Sequence, residues 1–221
     1  MLTYRVHLLR HGVTLGNREG RYIGRTDVPL CEEGRKELNR LKERYEYPQA
    51  DMVLSSPLQR CMETARILYP ESYLESWDAF VECDFGEWEN KRYQELQNVP
   101  GFAEWLASGR HAPPGGESAE EVTRRAVEGV HRLFQRMMED RLRSVALITH
   151  GMLISTLLHG MGLPKRPFEQ CVVGSGRGYT VLMTPQMWMR DRAFEIYGVA
   201  PYGMEEKDIN RPLEEVLGER T

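Results

Sequence analysis

Short apolar runs along the chain predict strands, and the more polar segments between them have the spacing of amphipathic helices. Tyr4–Arg10 and the very apolar Ser144–Thr149 predict two buried strands. Residues 51–56 predict a shorter strand that lies between them in the chain, and residues 179–184 predict the last strand.

Four helices are predicted around these strands. Residues 31–46 have apolar positions on one helical face, and residues 152–161 predict a helix directly after the third strand. Ser56, followed by a proline, is a typical helix start, and this helix should run to about Leu68. Ser118 and the glutamate three residues later fit a capping box that begins a long helix.

Strands that alternate with helices indicate an α/β fold. We expect a three-layer sandwich with a mostly parallel central sheet, helices on both of its faces, and one domain over residues 1–221. Residues 72–116 are irregular and rich in aromatic residues, and we expect a small cap-like insertion over the site. Its rings could stack on a substrate base or form a small core of their own. Residues 185–221 form a C-terminal extension to which the pattern assigns no role.

The formal net charge of −4 argues against nucleic acid or an anionic membrane as the main partner. An anionic substrate would therefore need a local cluster of positive charge. The four cysteines include no C-x-x-C pair, so neither a disulfide framework nor a zinc site is indicated. The N-terminal apolar run is too short and too charged for a signal peptide, and no stretch approaches a membrane span. We expect a cytoplasmic protein, and a homodimer is compatible with the sequence.

Polar residues follow three of the predicted strands where each one ends. The first strand ends at Arg10 and His11, and the third ends at His150 and Gly151. The second ends in two serines, with Arg60 one turn into the next helix. Because the carboxyl ends of parallel strands meet at one edge of a sheet, these cationic groups should lie together. Such a cluster is unfavourable unless it binds an anion, and phosphate is the obvious one.

The repetition of a strand followed by His-Gly distinguishes two of the six histidines. A lone histidine after a strand is more often structural than catalytic, but His11 and His150 show the same pattern at distant places. The glycine after each one permits close approach of the backbone to a ligand. Gly151 also begins a helix, whose N–H groups favour an anion.

Six segments in order resemble motifs of the histidine phosphatase superfamily, also called the phosphoglycerate mutase-like family. They span roughly residues 6–158 and are LLRHGVTLGN, YIGRTDVPLCEEG, SSPLQRCMETA, VECDFGEWEN, PPGGES and LITHGMLI. The resemblance implies an α/β phosphoryl-transfer enzyme whose cationic pocket makes a metal or cofactor unnecessary. It also implies that His11 is the nucleophile and becomes a phosphohistidine, and that Glu82 is the proton donor. The implied phosphate and substrate contacts are Arg10, Arg60, His150, Asn17, Gly24 and Gly151.

Physical chemistry agrees with these roles. A neutral imidazole attacks phosphorus if its other nitrogen is held by an acceptor, and adjacent positive charges should keep His11 unprotonated. Arginine donates paired hydrogen bonds to phosphoryl oxygens and does not deprotonate. Burial would raise the pKa of Glu82 and suit it to proton transfer. By spacing alone, its neighbours could serve equally well, and only the family motif selects Glu82 over Asp84, Glu87 and Glu89.

Four positions depart from the family pattern. Cys31 stands where threonine or serine usually precedes the first helix, so a weaker N-cap is expected. Asn90 replaces a glycine, Ile23 replaces a small polar residue, and Ser155 replaces an arginine. None of these changes removes a group that the chemistry needs.

The predicted function is a phosphomonoesterase for a small phosphorylated metabolite. The motifs are similar in detail to those of α-ribazole phosphatases, which makes α-ribazole 5′-phosphate, an intermediate of cobalamin assembly, the first choice of substrate. A phosphoglycerate mutase would use the same chemistry and return the phosphoryl group to a second hydroxyl, and a broad-specificity sugar phosphatase is a further alternative. A non-catalytic phospholigand-binding protein is disfavoured because all the reactive groups are present.

Overall fold

The computed structural model describes residues 2–108, 111–212 and 215–216. The strands are β1 (Tyr4–Arg10), β2 (Met52–Ser55), β3 (Leu74–Ser76), β4 (Ser144–Thr149), β5 (Gly162–Leu163), β6 (Gly178–Met183) and β7 (Phe194–Ala200). The α-helices are α1 (Leu15–Arg18), α2 (Glu32–Arg44), α3 (Gln59–Leu68), α4 (Tyr93–Leu96), α5 (Phe102–Ser108), α6 (Ala119–Glu139), α7 (Gly151–Met161) and α8 (Pro185–Asp191).

The strands form one sheet in the order β3-β2-β4-β1-β6-β7-β5. β1, β2, β3 and β4 pair in parallel, as do β5 and β7, whereas β6 is antiparallel to both of its neighbours. The expected α/β fold with a mostly parallel sheet is therefore confirmed. β6 is the exception to the parallel arrangement, because it runs antiparallel to β1 and to β7.

Alternate residues of the central strands contact helices on opposite faces of the sheet. In β4, Ala146 and Ile148 pack in one apolar cluster with Cys61 and Ala65 of α3. The intervening valine and leucine of β4 belong to the main core, which also contains the buried faces of α6 and α7. Both faces of this strand are therefore buried, which explains its continuous apolar run.

The predicted strands and helices agree with the structure at most positions, with one corrected helix start. β1 and β4 occupy the predicted residues, and α3 ends at Leu68 as expected. However, α3 begins at Gln59 with Leu58 as its N-cap, and Ser56 is not the cap that its sequence context predicts. The Ser56 hydroxyl lies 2.8 Å from Nε2 of His150 and accepts only a long local hydrogen bond, of 3.4 Å, from the Leu58 N–H, so its shorter contact is the tertiary one.

Three strands, β3, β5 and β7, were missed, and β5 is only two residues long. β3 lies inside the segment expected to be irregular and pairs with β2 through only three residues, so its apolar pattern is short. Residues 179–184 were expected to be the last strand, but α8 and β7 follow in the C-terminal extension, and β7 pairs with β6. Phe194 and Ile196 of β7 are buried and alternate with exposed residues, which is the pattern of a half-buried strand.

The aromatic residues of the insertion pack mainly against one another. Trp88, Phe102 and Trp105 are all less than a tenth exposed, and the Trp88 ring lies 5.3 Å from that of Phe102 and 5.5 Å from that of Trp105. Tyr22, from the loop after α1, joins this cluster. The insertion thus contains a small aromatic core, and these buried rings are not free to stack on a substrate base.

Two of the departures from the family pattern have local explanations. Asn90 has a φ of 63°, a left-handed conformation that asparagine tolerates better than most residues, so the turn survives without glycine. Cys31 does act as the N-cap of α2, with its Sγ accepting a hydrogen bond from the Gly34 N–H at 3.3 Å. Sulfur is a weak acceptor, so this contact agrees with the expected weaker cap.

None of the described helices is both long and apolar enough to cross a membrane.

Candidate active site

The ends of β1 and β4 bring the two His-Gly pairs together. The strands are parallel neighbours with Arg10 opposite Thr149, and the His11 N–H donates to the Thr149 carbonyl at 3.0 Å. The imidazole rings of His11 and His150 consequently lie 5.2 Å apart, with an angle of 64° between their planes. The meeting of these residues at one sheet edge is what the pattern of strand ends predicted.

His11 is held in a form suited to nucleophilic attack. Its Nδ1 lies 2.6 Å from the Gly12 carbonyl oxygen, which can only accept, so the proton is on Nδ1 and the lone pair is on Nε2. Gly12 is itself fixed, because its N–H donates to the Thr64 hydroxyl at 2.9 Å. Burial, together with the charges of Arg60 and Arg10, lowers the pKa of His11 well below its usual value. The imidazole is therefore neutral at physiological pH.

Two arginines, the buried Arg60 and the partly buried Arg10, flank the histidines. Arg60 is fully buried and donates from Nη2 to the Gly24 carbonyl at 2.6 Å and from Nη1 to the Thr26 carbonyl at 2.9 Å. Arg10 donates from Nη1 to the Val173 carbonyl at 2.8 Å. Among the residues that the structure describes, none accepts a hydrogen bond from the buried Nε–H of either arginine. A buried donor without an acceptor costs roughly 1–3 kcal/mol, and an oxyanion between the two guanidinium groups would supply acceptors for both.

His150 completes the cluster and is fully buried. The Ser56 hydroxyl lies 2.8 Å from its Nε2, and the Cys61 Sγ lies 3.4 Å from the same nitrogen. Burial, followed by the charges of Arg60 and His11, lowers the pKa of His150 well below its usual value. A neutral His150 still has one ring N–H, which can donate a hydrogen bond to a bound anion although the ring carries no charge.

Glu82 is a buried carboxyl group with two backbone hydrogen bonds. It is 6% exposed, and its oxygens accept from the Cys83 N–H at 3.0 Å and from the Met152 N–H at 3.1 Å. Burial raises its pKa and outweighs the lowering effects of these hydrogen bonds and of the nearby arginines. Arg125 secures the backbone of this segment through the carbonyls of Ala79, Val81 and Glu82.

The rival carboxylates are engaged elsewhere or exposed. Asp84 accepts from the Gly86 N–H at 2.8 Å, and Glu87 is exposed on the surface. Glu89 accepts hydrogen bonds from the backbone of residues 24–26. Of the four acidic residues in this segment, Glu82 alone is buried, and this burial raises its pKa, as a proton donor requires.

The remaining predicted contacts differ in what they can offer a substrate. The Asn17 Oδ1 accepts from the N–H and the hydroxyl of Thr14, so only its amide NH₂ remains to donate. A Cβ on Gly151 would lie 3.1 Å from the Arg10 Nε, so glycine leaves room for this guanidinium. The Gly24 N–H donates to Glu89 and its carbonyl accepts from Arg60. The backbone of Gly24 therefore helps to hold Arg60, and its expected contact with substrate stays a prediction.

Several residues of the site were not selected from the sequence. Ser56 and Thr64 lie within the motif SSPLQRCMETA, and contact His150 and Gly12 respectively. Glu89 lies within VECDFGEWEN and was considered only as an alternative acid. The motifs therefore contain these residues, but the sequence alone does not reveal their contacts, because the partner residues are distant in the chain.

A surface cavity of about 580 Å³ lies beside α1. Its lining includes Leu15, Ile23 and Asn90 but none of the candidate catalytic residues. Three departures from the family pattern, Ile23, Cys31 and Asn90, therefore line this cavity. Across the described parts of the chain, no group of three or more histidine, cysteine or acidic side chains is arranged to hold a metal ion.

Comparison with known proteins agrees with this geometry. Residues 6–188 match the family described as histidine phosphatase superfamily (branch 1). The chain belongs to the histidine phosphatase superfamily. The adenosylcobalamin/alpha-ribazole phosphatase of Escherichia coli (strain K12) is 28% identical over 179 residues, which cover 78% of this chain and 86% of that protein.

Two further relatives are named for a different substrate. The glucosyl-3-phosphoglycerate phosphatase of Mycolicibacterium vanbaalenii is 32% identical over 173 residues, covering 74% of this chain and 77% of that protein. The solved structure of a mycobacterial glucosyl-3-phosphoglycerate phosphatase is 25% identical with a TM-score of 0.75, covering 89% of this chain and 98% of the other. Together, the family and these relatives identify this histidine phosphatase as a metal-independent phosphatase.

Proposed function

We propose that this histidine phosphatase hydrolyses small phosphomonoesters through a phosphohistidine formed on Nε2 of His11. The observation that carries the proposal is the hydrogen bond from Nδ1 of His11 to the Gly12 carbonyl, which leaves the lone pair on Nε2. The Nε–H groups of Arg10 and Arg60, which lack an acceptor in the described parts of the chain, support a phosphoryl group as the electrophile.

The first half-reaction transfers the phosphoryl group to the enzyme. Nε2 of His11 attacks phosphorus as the bond from phosphorus to the ester oxygen breaks. The leaving alkoxide takes its proton from the Glu82 carboxyl group, which its raised pKa keeps available in protonated form. Arg10, Arg60 and His150 stabilise the charge on the equatorial oxygens.

The second half-reaction returns the enzyme to its starting state. The Glu82 carboxylate takes a proton from water, whose oxygen attacks phosphorus as the bond to Nε2 breaks. Inorganic phosphate leaves, His11 is again neutral with its proton on Nδ1, and Glu82 is again protonated. No metal is needed in this sequence, because the two guanidinium groups supply the positive charge.

We propose α-ribazole 5′-phosphate as the physiological substrate, which would make the protein part of cobalamin biosynthesis. The similarity to the Escherichia coli phosphatase supports this choice. A sugar phosphatase is the second candidate, which the similarity to glucosyl-3-phosphoglycerate phosphatases favours. The burial of Trp88, Phe102 and Trp105 means that a substrate base would have to be recognised by other residues.

The setting of the protein is also a proposal. The continuous sheet supports a single domain over residues 1–221, with residues 72–116 as an insertion that supplies Glu82. The four free cysteines support a reducing cytoplasm. The chemistry requires only a small phosphomonoester as partner, and homodimerisation stays a prediction for solution measurement.

Trapping of the intermediate tests the mechanism. Wild-type protein is mixed with ³²P-labelled substrate in the presence of a chelator and quenched under alkaline denaturing conditions, in which phosphohistidine survives. We expect a labelled chain in wild type, none in His11→Ala, and normal labelling in the control His111→Ala, at an exposed position. Labelling of His11→Ala at the wild-type level would exclude the proposed nucleophile.

A substrate panel tests the specificity. It contains α-ribazole 5′-phosphate, sugar phosphates and phosphoglycerates, with phosphate release as the readout and a bisphosphate-primed mutase assay alongside. The highest kcat/KM is expected for α-ribazole 5′-phosphate. Isomerisation of phosphoglycerate at a rate above phosphate release would instead assign the chain to the mutases.

A further inference from the structure

The carboxylate of Glu89 is the hydrogen-bond acceptor for an entire loop. Its Oε1 accepts from the Arg25 N–H at 2.8 Å, and its Oε2 accepts from the Thr26 hydroxyl at 2.6 Å and the Thr26 N–H at 3.3 Å. The Gly24 N–H lies 3.1 Å from both oxygens, and the Phe85 N–H lies 3.2 Å from Oε1. Three consecutive backbone N–H groups therefore point at one carboxylate.

The opposite side of the same loop holds a phosphate-binding arginine. The carbonyls of Gly24 and Thr26 accept the two hydrogen bonds of the Arg60 guanidinium, at 2.6 and 2.9 Å. A guanidinium has five N–H donors in a fixed plane, so these two bonds set the direction of the other three. The N–H groups of the loop thus face Glu89 while its carbonyls face Arg60.

The loop is closely packed at Gly24, where there is no space for a side chain. A Cβ on Gly24 would lie 2.0 Å from the Cys83 carbonyl oxygen and 2.5 Å from the Glu89 Oε1. The loop is therefore packed directly against the segment that carries both Glu89 and Glu82. Glu89 is also among the carboxylates whose negative charge favours the protonated form of the buried Arg60.

We propose that Glu89 is a positioning residue for phosphate binding, which acts through residues 24–26 on the orientation of Arg60. The inference rests on the proposed function, because it assigns Arg60 to the phosphoryl group. Loss of the carboxylate releases the loop and allows the Arg60 guanidinium to rotate away from the phosphate. A displacement of about 1 Å at such a group costs on the order of 10²-fold in rate.

The test separates positioning from a purely structural role. Glu89→Gln keeps the size of the side chain but replaces one acceptor oxygen with an NH₂ that opposes the N–H groups of the loop. Glu87→Gln, at an exposed position of the same segment, is the matched control. The readouts are the Kd of inorganic phosphate by calorimetry, kcat and KM with p-nitrophenyl phosphate, and the melting temperature.

We expect Glu89→Gln to weaken phosphate binding about tenfold and to lower kcat/KM on the order of 10²-fold, while Glu87→Gln matches wild type. A double-mutant cycle with Arg60→Lys shows whether the two residues act as one unit. In the Arg60→Lys background, the Glu89→Gln change should cost less than about threefold, since lysine has no planar fork to orient. Full and independent losses in the cycle, or unchanged phosphate affinity in Glu89→Gln, would overturn the inference.

A second variant covers the case in which Glu89→Gln does not fold. Thr26→Val removes the hydroxyl that donates to Glu89 and leaves the backbone in place. It should weaken phosphate binding by a smaller factor, and this loss should also disappear in the Arg60→Lys background. Because phosphate binding is measured without turnover, a failure of the phosphohistidine mechanism in the trapping experiment is distinguishable from a failure of this inference.

Discussion

The pH dependence of the free energy of unfolding shows how strongly the fold disfavours a charge on His7, a residue of the central sheet. This residue lies in the middle of β1 and is 1% exposed. Its Nδ1 lies 2.8 Å from the Thr180 hydroxyl of β6, and its Nε2 lies 2.8 Å from the Ser144 hydroxyl of β4. Burial, with a further contribution from Arg5, lowers the pKa of His7 from 6.5 to about 4.

The depressed pKa makes folding sensitive to pH in a defined window. Above pH 6.5 the imidazole is neutral in both states, so its contribution to stability is fully present. As the pH falls from 6.5 towards 4, the unfolded chain binds a proton that the folded chain refuses, and stability is lost. At about 1.4 kcal/mol per pH unit, the difference between a pKa of 6.5 and one of about 4 amounts to about 3.5 kcal/mol.

Urea unfolding at intervals between pH 4.5 and pH 8 measures this loss. His11 and His150 also have lowered pKa values and contribute with the same sign, so the comparison is between wild type and His7→Gln. We expect the free energy of unfolding of wild type to fall more steeply, by up to about 1.4 kcal/mol per pH unit. His111→Gln, at an exposed position, is the control and should follow wild type. Parallel profiles for wild type and His7→Gln would refute the reasoning.

Three further predictions concern the site and its surroundings. Glu82→Gln should lower kcat about 10²–10⁴-fold on alkyl phosphates but far less on p-nitrophenyl phosphate, whose leaving group needs no proton; equal losses on both would place the acid elsewhere. Gly151→Ala puts a Cβ 3.1 Å from the Arg10 Nε, and should raise the inhibition constant of phosphate about tenfold with little change in melting temperature. An unchanged constant would show that Arg10 accommodates the methyl group. Asn90→Ala should lower the free energy of unfolding by about 1 kcal/mol because φ is 63°, whereas Asn90→Gly should not, and equal losses in urea unfolding would contradict that explanation.

The site is built from strand ends and loops, and the sequence pattern predicts the position of the strand ends but not the contacts that the loops make. His11 and His150 were predictable together because their strands are parallel neighbours, so that their ends share an edge. The proton on Nδ1 of His11 was not predictable in detail, since it depends on the local path of the Gly12 carbonyl. The N-cap expected of Ser56 was wrong for the same kind of reason, because its hydroxyl lies beside a histidine 94 residues away.

Short or interrupted patterns were the weakest basis for prediction. β3 has three residues, none of them fully buried, so no alternation marks it as a strand. β7 does alternate at its start, but the pattern weakens towards Gly198, and the surrounding extension is polar. Both strands form because a neighbouring strand offers them hydrogen bonds, which no local pattern records.

The sequence alone determined the central strands and the chemical groups at their ends. β1 and β4 are rich in apolar residues because the sheet is covered on both faces, and each one is followed at once by a histidine and a glycine. Only the tertiary structure decided the properties of those groups: the neutral state of His11, the raised pKa of Glu82 and the hydrogen bonds by which one loop links Arg60 to Glu89. The physical reason is that burial and hydrogen-bond partners set these properties, and here both come from segments that lie far apart in the chain.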